Sequence, residues 1–178
     1  TTVLSDVKDC GVFIQTLMEK RIIPISLPVT GDEEWQALKE PLETGWLTAG
    51  PKVRAFEDAF AERHQVKYAI AVTSATTALH LALIALDIKA GDEVIVPAFT
   101  WVSTANVVLY QGAEVVFCDI DPTTFNLDPR KLKDKITSKT KAIMVVHLFG
   151  LCAPMDEIKT IAGDIPLIED GACAAGSA

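Results

Sequence analysis

The clearest strand–helix–strand pattern in this chain is EVIVPAFTWVSTANVVLYQGAEVVFC, residues 93–118. Apolar, β-branched runs at residues 93–96 and 114–118 predict two strands, and residues 100–110 predict a helix between them. Because parallel strands need a long crossover, this spacing is typical of a βαβ unit. Neither run alternates with polar residues, which indicates a sheet that is buried on both faces.

The same alternation extends from residue 68 to residue 168. Predicted strands cover residues 68–72, 93–96, 114–118, 142–147 and 167–168, and predicted helices cover residues 76–86, 100–110, 129–136 and 155–162. This order predicts the α/β class, a three-layer structure with a mostly parallel sheet and helices on both faces. Because the pattern stops on a strand, we expect further chain or a partner to cover that edge of the sheet.

Upstream of this pattern, the sequence predicts an arm and a helix. Residues 1–24 are predicted to be an N-terminal arm that leads into the domain. A helix is predicted over residues 32–44, because three acidic residues suit its first turn and Gly45 suits its end.

Composition and charge restrict the class of protein. The 178 residues are 49% hydrophobic and 22% charged, which is typical of a globular domain. With 24 acidic against 16 basic residues and a net charge of −8, the chain is a poor candidate for binding nucleic acid. The four cysteines form no Cys-x-x-Cys pair and no signal-like segment precedes them, which favours reduced thiols in the cytoplasm. Polar and turn-forming residues interrupt both charge-free stretches, so we expect no membrane span.

Three predicted strand ends carry groups that suit one ligand. Residues 73–77, TSATT, open a helix whose free N–H groups and hydroxyls suit a phosphate. Trp101 follows the second strand and offers a stacking face, and Asp170 ends the last strand with a carboxylate. Each group also has an ordinary explanation, since Ser, Thr and Asp cap helices and a Trp covers the top of a sheet. Together they suit a phosphorylated aromatic cation such as pyridoxal phosphate, whose ring nitrogen needs a carboxylate partner to stay protonated.

Five motifs point to a known family. They are GWLTAGP at residues 45–51, SATTALHLAL at 74–83, GDEVIVP at 91–97, TWVSTAN at 100–106 and IED at 168–170. With these motifs the chain resembles the DegT/DnrJ/EryC1/StrS family, the fold-type I pyridoxal-phosphate-dependent sugar aminotransferases. The resemblance implies that residues 25–178 are the amino-terminal part of the cofactor-binding large domain. It places the remainder of that domain, and a smaller carboxyl-terminal domain, outside this chain.

The resemblance also implies roles for individual residues. The implied cofactor contacts are the phosphate contacts of Ala75, Thr76 and Thr77, ring stacking by Trp101, and the catalytic pairing of Asp170 with the pyridine nitrogen. The activity that it implies is transfer of an amino group, with glutamate as the donor, to the keto sugar of a nucleotide-sugar. It further implies a homodimer.

Four further residues complete the expected site. The resemblance places Thr48 and Gly50 near the nucleotide-sugar pocket, and His147 borders the site because it ends a predicted strand. Cys173 stands where the family commonly has Gln or His near the phenolic oxygen of the cofactor, and a thiol is a weaker hydrogen-bond partner. No metal site is predicted, since the three histidines lack the spacing of metal ligands.

The family's Schiff-base lysine is expected downstream of the acidic turn, beyond Ala178. No lysine in this chain has the required Ser/Thr-rich context, so we expect the chain alone to be inactive. Two alternatives therefore stay open. One is a binding module for pyridoxal phosphate or sugar, and the other is a sugar dehydratase of the same family in which His replaces the lysine.

The strongest competing motif is DIDPT, residues 119–123. It has the form of a haloacid-dehalogenase-like phosphatase loop, with Asp119 as nucleophile and Asp121 as acid and base. Magnesium would then be held by Asp119 and by the pair Glu169 and Asp170. The same acids imitate the metal-binding motif of a nucleotide-sugar glycosyltransferase. Because the phosphatase motif usually opens its domain, ordinary turn acids explain these residues better.

Overall fold

The computed structural model describes residues 27–177, so the predicted arm at residues 1–24 lies outside the described residues. The chain divides into two compact units, Thr1–Ala59 and Phe60–Ala178. Within residues 27–177, no helix has both the length and the apolar character that a membrane crossing requires.

The first unit contains helix α1, Asp32–Thr44, and most of helix α2, Pro51–Arg63. The bounds of α1 are those predicted. The Glu34 carboxylate accepts a hydrogen bond of 2.7 Å from the N–H of Gly31, which places negative charge at the positive end of the helix dipole. Gly45 ends α1 with a left-handed φ of 72°, a conformation that costs glycine little.

A parallel sheet of four strands forms the centre of the second unit. The strands are β1 (Glu93–Pro97), β2 (Glu114–Cys118), β3 (Thr140–Val146) and β4 (Leu167–Asp170), in the spatial order β2-β1-β3-β4. The helices are α3 (Ala75–Ala85), α4 (Ser103–Tyr110), α5 (Pro129–Leu132) and α6 (Met155–Ala162), with 3-10 turns at Lys133–Lys135 and Leu148–Gly150. These elements confirm the predicted α/β class.

Each face of the sheet is covered by two helices. On one face the strands pack against α3 and α4, in a cluster that includes Leu79, Leu83, Val94, Val96, Val107, Val108 and Met144. On the other face they pack against α5 and α6, in a cluster that includes Leu132, Ile143, Val145 and Ile158. Burying each such side chain contributes about 1.5–3 kcal/mol. The double covering confirms the three-layer prediction and explains why the strands are almost uninterrupted apolar runs.

The predicted strand at residues 68–72 is wrong. None of the four strands in the described part of the chain pairs with these residues, and the large side chains of Tyr68 and Ile70 are exposed. A strand needs a neighbouring strand to accept and donate its backbone hydrogen bonds. The apolar pattern was therefore insufficient to produce a strand here.

Candidate functional site

A cavity of about 310 Å³ opens where β1, β3 and β4 end. Phe99 and Trp101 line it from the segment after β1, His147 lines it directly after β3, and Asp170 and Cys173 line it from the end of β4 and the turn that follows. We call this space the Asp170 cavity. Because the carboxyl ends of parallel strands lie at the same edge of a sheet, residues far apart in sequence meet there.

Asp170 has one occupied and one free carboxylate oxygen. Its side chain is buried, with 8% of the residue exposed. The N–H of Ala172 donates a hydrogen bond of 3.1 Å to Oδ1, and the N–H of His147 donates one of 3.1 Å to the backbone oxygen of Asp170. Among the described residues, no donor contacts Oδ2. One oxygen therefore holds the turn, and the other is available to a ligand in the cavity.

Trp101 offers an uncovered indole to the same cavity. It is 75% exposed, although it follows a fully buried strand. The helix predicted to begin at Thr100 begins instead at Ser103, because an i-to-i+3 hydrogen bond from the N–H of Thr104 to the carbonyl of Trp101 forms a turn first. Trp101 thus lies before the helix, in the segment that lines the Asp170 cavity.

The predicted phosphate turn has free N–H groups at the start of α3. Ser74 caps the helix by accepting a hydrogen bond of 3.2 Å from the N–H of Thr77, as the capping interpretation expects. The hydroxyl of Thr77 lies 3.1 Å from the hydroxyl of Ser74, so these two groups are already paired. No described residue accepts a hydrogen bond from the N–H of Ala75 or of Thr76. These two donors point from the positive end of a helix, which favours an anion.

A second cavity connects this turn with the acid. Its volume is about 630 Å³, and Ala75, His147 and Asp170 are among the residues that line it. Asp170 and His147 line both cavities. The structure therefore brings the start of α3 close to the end of β4, as the sequence predicted from their positions after strands.

Both ring nitrogens of His147 have protein partners. The N–H of Ala153 donates a hydrogen bond of 3.1 Å to Nδ1, and Nε2 lies 3.0 Å from Oε2 of Glu169. The predicted role of His147 as a substrate-binding residue is therefore not supported by its ring, although the residue borders the cavity as predicted.

Thr48 and Gly50 lie in the first unit, beside a small cavity of about 100 Å³. A Cβ atom at Gly50 would clash with the indole of Trp46, so this side chain would have to move to admit any other residue. The Trp46 indole in turn donates a hydrogen bond of 3.2 Å to the carbonyl of Ala49. Local packing thus accounts for this glycine, and its role toward a nucleotide-sugar stays a prediction.

The phosphatase interpretation of Asp119 and Asp121 is wrong on geometry. Asp119 follows β2 and Glu169 lies in β4, and β1 and β3 stand between these strands. At the usual strand spacing this separates them by about 14 Å, too far to share one magnesium ion. Asp121 is also engaged, because its Oδ2 lies 2.9 Å from Arg130 and its Oδ1 accepts a hydrogen bond of 2.8 Å from the N–H of Thr123. Within the described part of the chain, no group of three His, Cys, Asp or Glu side chains is arranged to hold a metal ion.

Comparison with known proteins agrees with this geometry. Residues 28–178 match the DegT/DnrJ/EryC1/StrS aminotransferase family. The chain belongs to this family. One similar solved structure is 3-amino-5-hydroxybenzoic acid (AHBA) synthase, which is 42% identical with a TM-score of 0.81 over 87% of this chain and 41% of that protein.

Two other solved structures are similar to the chain. An aminotransferase from Psychrobacter cryohalolentis is 40% identical, with a TM-score of 0.79 over 85% of this chain and 40% of that one. A GDP-4-keto-6-deoxymannose-3-dehydratase with a trapped PLP-glutamate geminal diamine is 38% identical, with a TM-score of 0.79 over 84% of this chain and 41% of that one. The chain thus spans about two fifths of the length of these relatives. Pyridoxal 5′-phosphate is the cofactor that the family and these relatives indicate.

The described residues of this family member fit that cofactor. A phosphate needs donors, and the N–H groups of Ala75 and Thr76 lack acceptors. An aromatic ring needs a stacking face, and Trp101 is exposed in the cavity. A pyridinium nitrogen needs an acceptor, and Oδ2 of Asp170 is free. Three different demands of one molecule are met around connected cavities.

Sequence reasoning missed the residue that holds one wall of the cavity. Asn126 is buried, accepts a hydrogen bond of 3.0 Å from the N–H of Leu148, and donates one of 2.9 Å to the carbonyl of Leu151. Between these two contacts lies Phe149, which lines the cavity with a left-handed φ of 54°. No local signal identifies this clamp, because Asn126 and Leu151 lie 25 positions apart.

Proposed function

We propose that the full-length protein containing this chain is a pyridoxal-phosphate-dependent aminotransferase that transfers an amino group from glutamate to the keto sugar of a nucleotide-sugar. The observation that carries the proposal is the Asp170 carboxylate, which has a free Oδ2 and shares a cavity with Trp101. Family membership supports the same activity. Because the chain spans about two fifths of its solved relatives, the activity is assigned to the full-length protein.

In this proposal the start of α3 binds the cofactor phosphate. The N–H groups of Ala75 and Thr76 donate to phosphate oxygens, and the hydroxyl of Thr76 adds a weaker contact. Thr77, whose hydroxyl is paired with that of Ser74, holds the turn that presents these groups. The helix dipole favours the negative charge, and no side chain has to move to free the two N–H donors. Trp101 covers one face of the ring and keeps water from it.

Asp170 holds the proton on the ring nitrogen. Its Oδ2 accepts the pyridinium N–H, while the hydrogen bond from Ala172 to Oδ1 keeps the carboxylate from rotating away. When bound, the cofactor supplies the electron sink that amino transfer requires, and a protonated ring nitrogen makes that sink effective. Cys173 lines the same cavity, and its thiol would be a weak hydrogen-bond donor toward the phenolic oxygen of the bound cofactor.

The remaining assignments rest on family resemblance and composition. Thr48 and Gly50 contribute to the nucleotide-sugar pocket, and the lysine that holds the cofactor belongs to the part of the full-length protein outside this chain. Residues 25–178 form part of the large domain, and the protein works as a homodimer in the cytoplasm. Nucleic acid is not a partner.

Spectroscopy of the full-length protein tests the activity. Purified with pyridoxal phosphate, it should absorb near the edge of the visible range, and L-glutamate should remove that band while releasing 2-oxoglutarate. A keto sugar on a nucleotide should then restore the band and yield an amino sugar. A protein that stays colourless with the cofactor, or that keeps its band with every amino donor, would overturn the proposal.

A family dehydratase is the second candidate function, favoured by the 38% identity to the GDP-4-keto-6-deoxymannose-3-dehydratase. Both enzymes would bind the cofactor and react with glutamate, so colour alone does not separate them. The product does. An aminotransferase leaves nitrogen on the sugar, whereas a dehydratase removes a hydroxyl and leaves no nitrogen, which mass spectrometry of the sugar product distinguishes.

A further inference from the structure

Asp170 lies at the end of β4, beside the end of β3. In the described part of the chain, β4 pairs with β3. Val146 is the register partner of Asp170, and each is the last residue of its strand. The direction of the Asp170 carboxylate therefore depends on how firmly the two strand ends are joined. The end of a strand frays more readily than the interior of a sheet.

His147 makes three hydrogen bonds at this point. Its N–H donates to the backbone oxygen of Asp170 at 3.1 Å, which extends the β3–β4 ladder by one residue. Its ring adds the bond between Nε2 and Glu169 and the bond from Ala153 to Nδ1. His147 is buried, so its bond from Ala153 is shielded from water, whereas the bond to Glu169 is only partly buried.

The bond to Ala153 determines which ring nitrogen carries the proton. A backbone N–H is always a donor, so Nδ1 must be the accepting, unprotonated nitrogen. The proton is therefore on Nε2, which donates to the carboxylate of Glu169. A hydrogen bond to a charged acceptor is stronger than one between neutral groups.

Glu169 and Asp170 lie on opposite faces of β4. Ile168 packs in the cluster beneath α3 and α4, so by alternation Asp170 lies on that face. Leu167 packs against the cluster beneath α5 and α6, so Glu169 lies on the other face, as does Ala153. The His147 ring thus secures β4 from the face opposite Asp170. It can restrain the strand end without occupying Oδ2.

We propose that His147 and Glu169 form a positioning pair that fixes the end of β4, so that Oδ2 of Asp170 stays directed at the ring nitrogen of pyridoxal phosphate. Neither side chain touches the cofactor in this role. Both act through the backbone of Asp170. The inference rests on the proposed function, since it assumes that Asp170 pairs with the ring nitrogen.

Substitutions at Glu169 in the full-length protein test the pair, because 49% of this side chain is exposed and its loss leaves no cavity in the core. Glu169→Ala removes the acceptor and should weaken pyridoxal phosphate binding by about tenfold, the usual effect of one charge-assisted hydrogen bond. Glu169→Gln keeps an acceptor and should restore most of the affinity. Glu114→Ala is the matched control, since Glu114 is exposed on the opposite edge strand and its side chain makes no hydrogen bond among the described residues.

An Asp170→Ala background separates positioning from general structural support. If the pair acts through Asp170, Glu169→Ala should change the cofactor dissociation constant by less than about twofold once Asp170 is absent. An equal loss in both backgrounds would overturn the proposal, and so would wild-type affinity in Glu169→Ala. If Glu169→Gln loses as much affinity as Glu169→Ala, hydrogen-bond positioning is also overturned.

A measurement without cofactor provides an independent test. In the apo protein, ¹⁵N NMR of the imidazole should show Nε2 protonated and Nδ1 unprotonated, and Glu169→Ala should change the Nε2 signal. A proton on Nδ1 would overturn the proposal. If the wild-type protein binds no pyridoxal phosphate, the proposed function fails and takes the positioning role with it. If it binds and reacts but the Glu169 variants match wild type, only the positioning role fails.

Discussion

Asp121 and Asp170 lie near the ends of β2 and β4, the first and last strands in the order β2-β1-β3-β4 of the described chain, and their surroundings differ. Asp121 follows β2 and is engaged by Arg130 and by the N–H of Thr123. Asp170 ends β4, is buried, and keeps Oδ2 free beside a cavity that Trp101 also lines. Both acids follow apolar strands, so sequence placed both among candidates for chemistry. The difference teaches that an acid at a strand end is available for chemistry only when the fold leaves one of its oxygens unpaired.

The largest expected difference between the two regions is in the alkylation rates of their cysteines, Cys118 and Cys173. Burial raises the pKa of Cys118, at the end of β2, to about 11, whereas Cys173 is exposed in the turn after β4. At pH 8 only about one Cys118 thiol in a thousand is ionised. Iodoacetamide should therefore label the exposed Cys173 faster by on the order of a hundredfold, as measured by peptide mass spectrometry over time. Equal rates would show that the end of β2 is not closed to solvent.

Removing each acid tests the comparison directly. Asp170→Ala should weaken cofactor binding and reduce amino transfer by about a hundredfold or more, because the pyridinium charge loses its buried partner. Asp121→Ala should leave both unchanged, because its oxygens hold a turn far from the cavity. Cofactor titration and steady-state kinetics of the full-length protein measure both. Comparable losses in the two variants would remove the distinction between the strand ends.

Removing the aromatic ring of Trp101 should weaken cofactor binding less than removing the carboxylate of Asp170. Trp101→Ala should weaken pyridoxal phosphate binding by about tenfold, since a ring contact contributes about 0.5–1.5 kcal/mol beyond the area that it buries. Trp101→Phe should recover most of the affinity because it restores an aromatic face. Trp46→Phe serves as the control, as a second exposed indole that belongs to the first unit. Unchanged affinity in Trp101→Ala would exclude stacking at this residue.

Asn126 belongs to the loop after β2 but holds the loop beside the Asp170 cavity, so it links the two regions. Asn126→Ala leaves the N–H of Leu148 and the carbonyl of Leu151 without their partner. Both groups are only partly buried, so losing each bond costs about 1 kcal/mol, and the melting temperature should fall by about 4–8 °C. Differential scanning calorimetry measures this fall in melting temperature. Thr160→Ala is the control, because its hydroxyl bonds to the carbonyl of Asp156 on the exposed side of α6.

The smallest expected effect concerns acid stability at the end of β2. Hydrogen bonding to Arg130 lowers the pKa of Asp128, and the N–H of Thr123, helped by Arg130, lowers the pKa of Asp121. A folded pKa below the unfolded one stabilises the protein above the unfolded pKa, and this contribution is lost as pH falls through the folded value. Arg130→Ala should therefore lower the melting temperature by about one degree at pH 7, and less as the pH falls below about 4. If the melting-temperature difference between Arg130→Ala and wild type grew as the pH fell, the stabilising role of the Asp121 and Asp128 contacts with Arg130 would be contradicted.

The fold was largely predictable, because it depends on apolar patterns that are local in sequence. The bounds of α1, β2 and α6 agree with the predictions, and β1 extends only one residue further. The failure at residues 68–72 has the opposite cause, since Tyr68 and Ile70 have a strand-like pattern but no neighbouring strand in the described chain. Pairing is a property of two segments, and one segment does not reveal it.

The residues that line the candidate site were predictable from the sequence, but the hydrogen bonds that they make were not. Trp101, His147, Asp170 and Cys173 line one cavity, as expected of residues after parallel strands. The ring contacts of His147 were not predictable, because Glu169 lies 22 positions away and Ala153 is met only through the turn that follows β3. Hydrogen-bond partners so distant in sequence leave no periodic signal.

By itself, the sequence determined the layered α/β architecture, the family, and the short set of groups that meet at the strand ends. Apolar periodicity and turn residues act over a few positions, so they can be recognised without knowing the fold. Only the tertiary structure decided which of those groups are free. Oδ2 of Asp170 is unpaired and Asp121 is engaged because the order β2-β1-β3-β4 sets the neighbours of each acid. Availability for chemistry is therefore a consequence of packing between distant segments.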